Sequence, residues 1–489
     1  MGDVVAAFGR FGEDVVPYVA KMLNVLGLRD GGGCGVFTVR ESAYGKSFSD
    51  LLTEEVVSPV CLGYNLSKGR EEGFSKYATR IDEFSSFLEG AVFSNSVESL
   101  FEKMRTPEES SETQSFLERC DGDFTMAHLK KGGLIIFRDP VGTIPLYLGE
   151  DGRMVALSSE KKALWAIGLR DVKPFPPGHL LDLGDKNGEI LKSLKKIKPG
   201  NVSQRSFEEI TTSLSFLIRE AVEKRVNRDE NLALAFSGGV DSAVLAKILL
   251  AEHIPVHLIC VGLEGEEREV DQAEDLASEL GLRIKIKMFP KEAVEEDVPK
   301  VISRIEEADP LKVSLGIPFY WISDEARNLG KTVLMTGQGS DELFGGYLRH
   351  MQVYQDEGGE ALDRMLLRDV RRAYEVDYEL VSHVCAAFNL YHVAPYADFD
   401  LITYALGVPA ELKMEFEGRI LRKAALREVA KEMGLPESAY MRPKKAMQYG
   451  TGVDKTLRRV AKDKGLNLRA FLEQKFAEVF PETLKSEKE

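Results

Sequence analysis

Residues 232–245 limit the architecture more than any other stretch. An apolar strand, Leu-Ala-Leu-Ala-Phe, runs through Ser237-Gly238-Gly239-Val240-Asp241-Ser242 straight into an apolar helical pattern. A strand that passes through two glycines into a helix is the first half of a βαβ unit, and such units build parallel sheets with helices on both faces. The surroundings agree. The helical pattern FEEITTSLSFLIREAVEKRV precedes it, and VHLICVGL, EVDQAEDLASELGL and RIKIKMF follow as strand, helix and strand. A further strand, KTVLMTG, comes after the helical FYWISDEARNLG, and from Gly358 onward the pattern reads almost entirely helical.

Upstream of residue 207 the texture changes to short β-branched and aromatic runs punctuated by Gly and Asp-Gly, such as GDVVAAF, CGVFTV, GGLIIF and MVALSS, with one helical pattern from Val15 to Leu26. We therefore expect a β-rich domain over 1–184, a polar linker over 185–206 containing Pro199-Gly200, and an α/β domain over 207–489. A chain of 489 residues with 44% hydrophobic and 29% charged content suits two such cores and excludes a fibrous or disordered protein. The net charge of −15 argues against a broad nucleic-acid or anionic-membrane footprint. Cys34, Cys61, Cys120, Cys260 and Cys385 are scattered without a partner at zinc-ligand spacing. With no apolar run of about 18 residues, the expected protein is soluble and cytoplasmic, without a membrane partner.

The glycines of the first loop let the backbone approach a ligand, while free amides at the helix start and the Ser237 and Ser242 hydroxyls offer donors to phosphate. No Lys closes the loop as in a Walker sequence. Asp241 at its centre would repel phosphate unless Mg²⁺ lay between them. The competing reading is an ordinary Gly-Gly turn with a capping Asp and Ser. A second loop, Thr336-Gly337-Gln338-Gly339-Ser340-Asp341-Glu342-Leu343-Phe344-Gly345-Gly346-Tyr347, again follows an apolar strand and again carries an Asp. In a doubly wound sheet the two loops can face each other, so Asp241 and Asp341 are the candidate Mg²⁺ ligands, although Asp341-Glu342 also suits a helix cap.

Together SGGVDS and TGQGSDELFGGY resemble the asparagine synthetase family of adenylating N-type ATP pyrophosphatases. Arg442-Pro443-Lys444, Pro395-Tyr396-Ala397-Asp398 and Ile420-Leu421-Arg422-Lys423-Ala424 resemble further segments of that family. The resemblance implies a doubly wound, adenine nucleotide α-hydrolase-like domain with a helical C-terminal part. It implies MgATP as co-substrate, attack of a carboxylate on the α-phosphorus, and displacement of AMP by ammonia or another amine. By the same match Ser237, Gly238, Gly239 and Ser242 would hold pyrophosphate, and Ala235 and Val261 would lie at adenine and ribose. Thr336 and Gly337 would form the second nucleotide loop, and Lys444 would stabilise charge at adenylation. Phe116-Leu117, Gly122-Asp123-Phe124, Arg138-Asp139-Pro140-Val141-Gly142 and Ser159-Glu160-Lys161 resemble the family's class II glutamine amidotransferase domain, implying an N-terminal-nucleophile, αββα sandwich over the first 184 residues.

The chain departs from that family at chemically telling positions. A glutaminase of this class attacks glutamine with a Cys directly after the initiator Met, and here Gly2 has no side chain to form a thioester. Glu89-Gly90 stands where an Asn-Gly pair would supply an oxyanion donor, and a carboxylate there opposes an oxyanion. Gln338 replaces a family Glu of the amine-attack step, and an amide orients but does not act as a base. Ser314 stands for a family Arg near the aspartate-recognition segment, and Tyr391 and Val393 stand for Glu and Arg. The expected activity is amide ligation with ammonia in place of glutamine, aspartate being the default acceptor. A separate ammonia donor and a homodimer are compatible with it. The altered acceptor residues also suit a nucleotide-binding scaffold or a ligase for a larger acceptor.

Overall fold

A computed structural model describes residues 2–27, 32–46, 56–66, 78–81, 84–93, 99, 115, 117–184, 188–202, 205–228, 231–442 and 447–481. The chain divides into two compact units, Met1–Lys196 and Ile197–Glu489.

The strands of the first unit are β1 (Gly2–Gly9), β2 (Cys34–Thr38), β3 (Ser42–Gly45), β4 (Val60–Leu66), β5 (Ala78–Ile81), β6 (Phe84–Val92), β7 (Gly122–Lys130), β8 (Gly133–Arg138), β9 (Tyr147–Glu150), β10 (Met154–Ser158), β11 (Val172–Pro174), β12 (His179–Gly184) and β13 (Gly188–Ser193). They form two sheets, ordered β11-β9-β10-β1-β4-β2-β3 and β13-β12-β8-β7-β6-β5, antiparallel throughout. Alternation decides which side chains meet. Val4, Ala6 and Phe8 of β1 share a core with Ala127 and Leu129 of β7, and Tyr64 of β4 stacks on Phe87 of β6 at 4.8 Å. Val5 and Ala7 face the opposite way, onto Val16, Val19 and Leu23 of the Val16–Leu26 helix, while Leu117 and Cys120 cover the outer face of the other sheet. The layering is the αββα sandwich that the sequence resemblance implies.

The 185–206 linker is shorter than its polarity suggests. Residues 188–193 are strand β13, paired with β12 along its length. It is the edge of its sheet, and Ile190 and Leu191 are 43% and 55% exposed, so the segment carries the polar composition of a connector.

The second unit holds β14 (Leu232–Ala235), β15 (Val256–Leu263), β16 (Ile284–Phe289), β17 (Val333–Met335) and β18 (Tyr391–Val393), all parallel, in the order β16-β15-β14-β17-β18. Helices flank this doubly wound sheet and make up most of the C-terminal part. β18 interrupts the region that reads as helical after Gly358, because three residues are too few to show a period. No described helix is long and apolar enough to cross a membrane.

One buried ion pair ties this unit together. Asp398 accepts from the Asp400 and Leu401 amides at the start of the Phe399–Gly407 helix, and Arg225 Nη1 reaches its Oδ2 at 3.0 Å with both side chains 2% exposed. Burial pushes the Asp398 carboxyl up, but the Arg225 and Lys224 charges and the amide bonds outweigh it, so it ionises below the usual carboxylate range. Asp398→Ala is expected to cost about 3–5 kcal/mol in unfolding free energy by leaving Arg225 buried without its carboxylate. Because the folded value lies below the unfolded one, this stabilisation is complete above about pH 4 and disappears as pH falls through the folded value. Denaturant titrations at neutral and acid pH measure both effects; equal stability of variant and parent at pH 7 would refute them.

Candidate active site

The sheet reverses its order beside β14, with β15 and β16 on one side and β17 and β18 on the other. A crevice opens at the carboxyl ends of β14 and β17, where sheets of this kind receive ligands. The loops leaving these two strands are the two glycine-rich loops, and they touch. A Cβ on Gly337 would lie 3.1 Å from Asp241 Cβ.

In the first loop Gly238 has φ +66°, and a Cβ there would lie 2.7 Å from Arg442 Nη1 and 3.1 Å from Ala273 Cα, so a side chain meets both strain and contact. Gly239 then opens the Val240–Ala251 helix without a capping side chain, which leaves first-turn amides for a ligand. Ser237 Oγ accepts from the Gly239 amide at 3.3 Å, and Ser242 Oγ donates to the Gly239 carbonyl at 3.2 Å. Arg442 braces the loop, donating from Nη1 to the Ser237 carbonyl at 2.9 Å and from Nη2 to Glu269 at 2.5 Å.

In the second loop Gly339, at φ +92°, turns the chain into the short Ser340–Phe344 helix. The carboxylates of Asp241 and Asp341 converge on a single ammonium. Lys423 Nζ lies 2.6 Å from Asp241 Oδ1, 2.6 Å from Asp341 Oδ1 and 2.9 Å from Ser340 Oγ, with its side chain fully buried. A cavity of about 500 Å³ reaches this centre. Ala235, Ser237, Asp241, Ser242, Thr336, Gly337, Gln338 and Asp341 line it, so residues from both loops meet at one site. Val261 lies instead in a recess of about 40 Å³ that also contacts Ser237 and Met447. Gly238 and Gly239 shape the loop without lining the cavity wall. Lys444 falls outside the described residues; Arg442 and Met447, on either side of it, reach the first loop and the cavity wall.

Three further cavity groups come from the second loop, and a fourth, Asp377, carries no local sequence signal. Gln338 Nε2 donates to Asp377 Oδ1 at 3.4 Å, and Tyr347 OH donates to the Glu342 carboxylate. Burial first, then the neighbouring carboxylates, pushes both Glu342 and Asp377 up from the usual range, so this pair retains a proton where an isolated carboxylate would not. Asp377 sits in a single π-helical turn, Tyr374–Tyr378, between two α-helices, a local widening frequent at functional sites. Behind Thr336, His392 Nε2 contacts the threonine hydroxyl at 2.9 Å and Nδ1 contacts Ser382 Oγ at 3.1 Å. Burial pushes His392 down to about 3, which keeps it neutral near physiological pH.

The residues that the resemblance places near the acceptor lie elsewhere. Ser314 is buried in the Pro310–Asn328 helix, where its Oγ donates to the Leu311 carbonyl at 3.0 Å. Ser314, Tyr391 and Val393 do not line the cavity. Three cations do. Lys312 pairs with Glu307 and Arg349 with Asp369, each at 2.7 Å, whereas Arg372 has no ion-pair partner among the described residues.

Fold and site together define a doubly wound α/β domain in which two glycine-rich loops meet at one cavity at the switch point of its sheet. Residues 214–358 and 350–488 match the asparagine synthase family profile, and residues 92–166 match that of a glutamine amidotransferase domain. A relative from Methanocaldococcus jannaschii, provisionally named as glutamine-hydrolyzing asparagine synthetase 1, is 34% identical over 397 residues, covering 72% of this chain and 73% of its own. The glutamine-hydrolyzing asparagine synthetase of Homo sapiens is 28% identical over 368 residues, covering 68% and 64%. The corresponding Dictyostelium discoideum protein is 26% identical over 368 residues, covering 69% and 64%. This chain thus spans a little under two thirds of the latter two. It belongs to the asparagine synthetase family.

Proposed function

We propose that the protein is an ATP-dependent ligase that joins an amine to a carboxylate, forming AMP and pyrophosphate. The observation that carries this reading is the convergence of Asp241 and Asp341, from two loops, on one wall of a cavity large enough for a nucleotide and a small acceptor. The carboxylates suit Mg²⁺, a hard cation commonly held by one or two carboxylates together with substrate phosphates. Lys423 takes Oδ1 of each, and the two side chains remain 12% and 17% exposed. A bound Mg²⁺ would neutralise charge on the phosphates.

The first-turn amides, Ser237 and Ser242 bind the departing pyrophosphate; Ala235, Thr336 and Gly337 bound the nucleotide. An acceptor carboxylate oxygen bonds to the α-phosphorus as the bond to the pyrophosphate oxygen breaks. The amine then bonds to the acyl carbon, AMP leaves with the former carboxylate oxygen, and the amine loses a proton. Lys444 is assigned to the charge that develops at adenylation, and Gln338 to orienting the amine beside Asp377. Arg372 is the cavity cation left to meet an anionic group of the acceptor. Aspartate is the default acceptor on family grounds, and ammonia the default amine.

The test incubates the protein with MgATP, ammonium and a panel of carboxylates, following AMP, pyrophosphate and the product mass. Carboxylate-dependent formation of AMP and pyrophosphate in equal amounts, with an amide product, is expected. No pyrophosphate across a broad panel would refute the proposal and leave a nucleotide-binding role.

A further inference from the structure

The buried ammonium of Lys423 has a consequence for metal uptake, given the reading above that Asp241 and Asp341 hold Mg²⁺ with ATP. Lys423 lies 182 residues from Asp241 and 83 from Ser340 in sequence, yet its ammonium donates to Asp241 Oδ1 and Ser340 Oγ and forms an ion pair with Asp341 Oδ1 at 2.6 Å. The surrounding backbone is shaped for this contact. Lys423 has φ +63°, a left-handed conformation that a residue with a Cβ rarely adopts. Gly346 makes room for it, since a Cβ there would lie 2.3 Å from Lys423 Cε and 1.7 Å from Asp341 Oδ1. Any side chain at 346 would have to displace the ion pair.

Two facing carboxylates alone would carry two negative charges and form a ready site for a free divalent cation. Lys423 cancels one charge and takes one oxygen from each. Within this triad of Asp241, Asp341 and Lys423 a single net negative charge remains, a poor match for Mg²⁺, which gives up its water reluctantly and is usually held by a few carboxylates and phosphates together. The missing charge and oxygens are those that a nucleotide brings. We propose that Lys423 is a positioning residue that keeps the Asp241–Asp341 pair from binding a free divalent cation and reserves it for one arriving with nucleotide phosphates. The lysine thereby makes metal binding conditional on nucleotide binding.

The experiment titrates Mn²⁺, followed by water-proton relaxation, into the full chain with and without a non-hydrolysable ATP analogue. The wild-type chain is expected to bind Mn²⁺ at least about tenfold more weakly without the analogue than with it. Lys423→Met, close in length and uncharged, is expected to bind Mn²⁺ without nucleotide about 10- to 100-fold more tightly than wild type, a gain removed by adding Asp241→Asn. Nucleotide-free binding by Lys423→Met no tighter than by wild type would overturn the inference. So would an Asp241-dependent Mn²⁺ site in wild type that is as tight without the analogue as with it, an outcome needing no variant. Lys423→Gln replaces Lys423→Met if the latter fails to fold. In both overturning cases an Asp241-dependent metal site, and with it the metal assignment under the proposed function, survives. If the analogue instead brings no Asp241-dependent Mn²⁺ to the wild-type chain, the metal assignment under the proposed function falls, and this inference with it.

Discussion

Asp241→Asn and Asp341→Asn are each expected to lower AMP-forming turnover by about a thousandfold or more. Charge stabilisation by a metal at a transferring phosphoryl group is worth several kcal/mol, and about 1.4 kcal/mol corresponds to each tenfold in rate. The amide is nearly isosteric with the carboxylate but binds a hard cation far less well. Loss of fold can be separated from loss of function, because the surroundings of Lys423 tolerate the change. In either single variant the buried ammonium keeps its other aspartate, so the Asp241–Lys423–Asp341 triad passes from −1 to zero and Lys423 is not left without a carboxylate. Melting temperatures near the parent value together with lost pyrophosphate release are therefore expected. Unchanged turnover in both variants would refute the metal assignment, and the same loss with a collapsed melting temperature would make the carboxylates structural.

Glutamine is expected to support no amide formation where ammonium supports it, with no glutamate released above the uncatalysed rate. β1 begins at Gly2, and the missing side chain removes the nucleophile that would form a thioester. Cys34 is poorly placed to replace it. Cys34 lies in β2, fully buried and paired in register with Gly45 and Asn65. Exposing it as a new N-terminus would remove β1, the middle strand of a seven-stranded sheet, together with the Val16–Leu26 helix packed against it. Glu89 is 1% exposed within β6, a poor place for an oxyanion donor. A coupled glutamate assay run beside the pyrophosphate assay checks this directly. Stoichiometric glutamate and amide from glutamine would overturn the assignment of Gly2.

The parts of the site that could be read in the sequence are those built by neighbours in the chain. A phosphate loop consists of a strand, two glycines and a helix start within about a dozen residues, so its composition already contains its geometry. The same holds for the second loop and for the strand and helix alternation that calls for a parallel sheet. β13 and β18 were not legible, the first because an exposed edge strand has the polarity of a linker, the second because three residues show no period. Ser314 and Val393 matched a pattern in one dimension but are buried away from the cavity.

Sequence alone picks out the two loops that the structure brings together at one cavity, because local backbone preference and glycine content act over a few residues. It could not show that Lys423 would lie between Asp241 and Asp341, that Gln338 would donate to Asp377, or that His392 would stand behind Thr336. Read singly, Lys423 is an ordinary solvated lysine, since that side chain is almost never fully buried unless paired. Its pairing depends on helices and loops distant in sequence packing against one another. The charge balance of the site therefore arises only on folding, when desolvation makes each of those distant contacts strong.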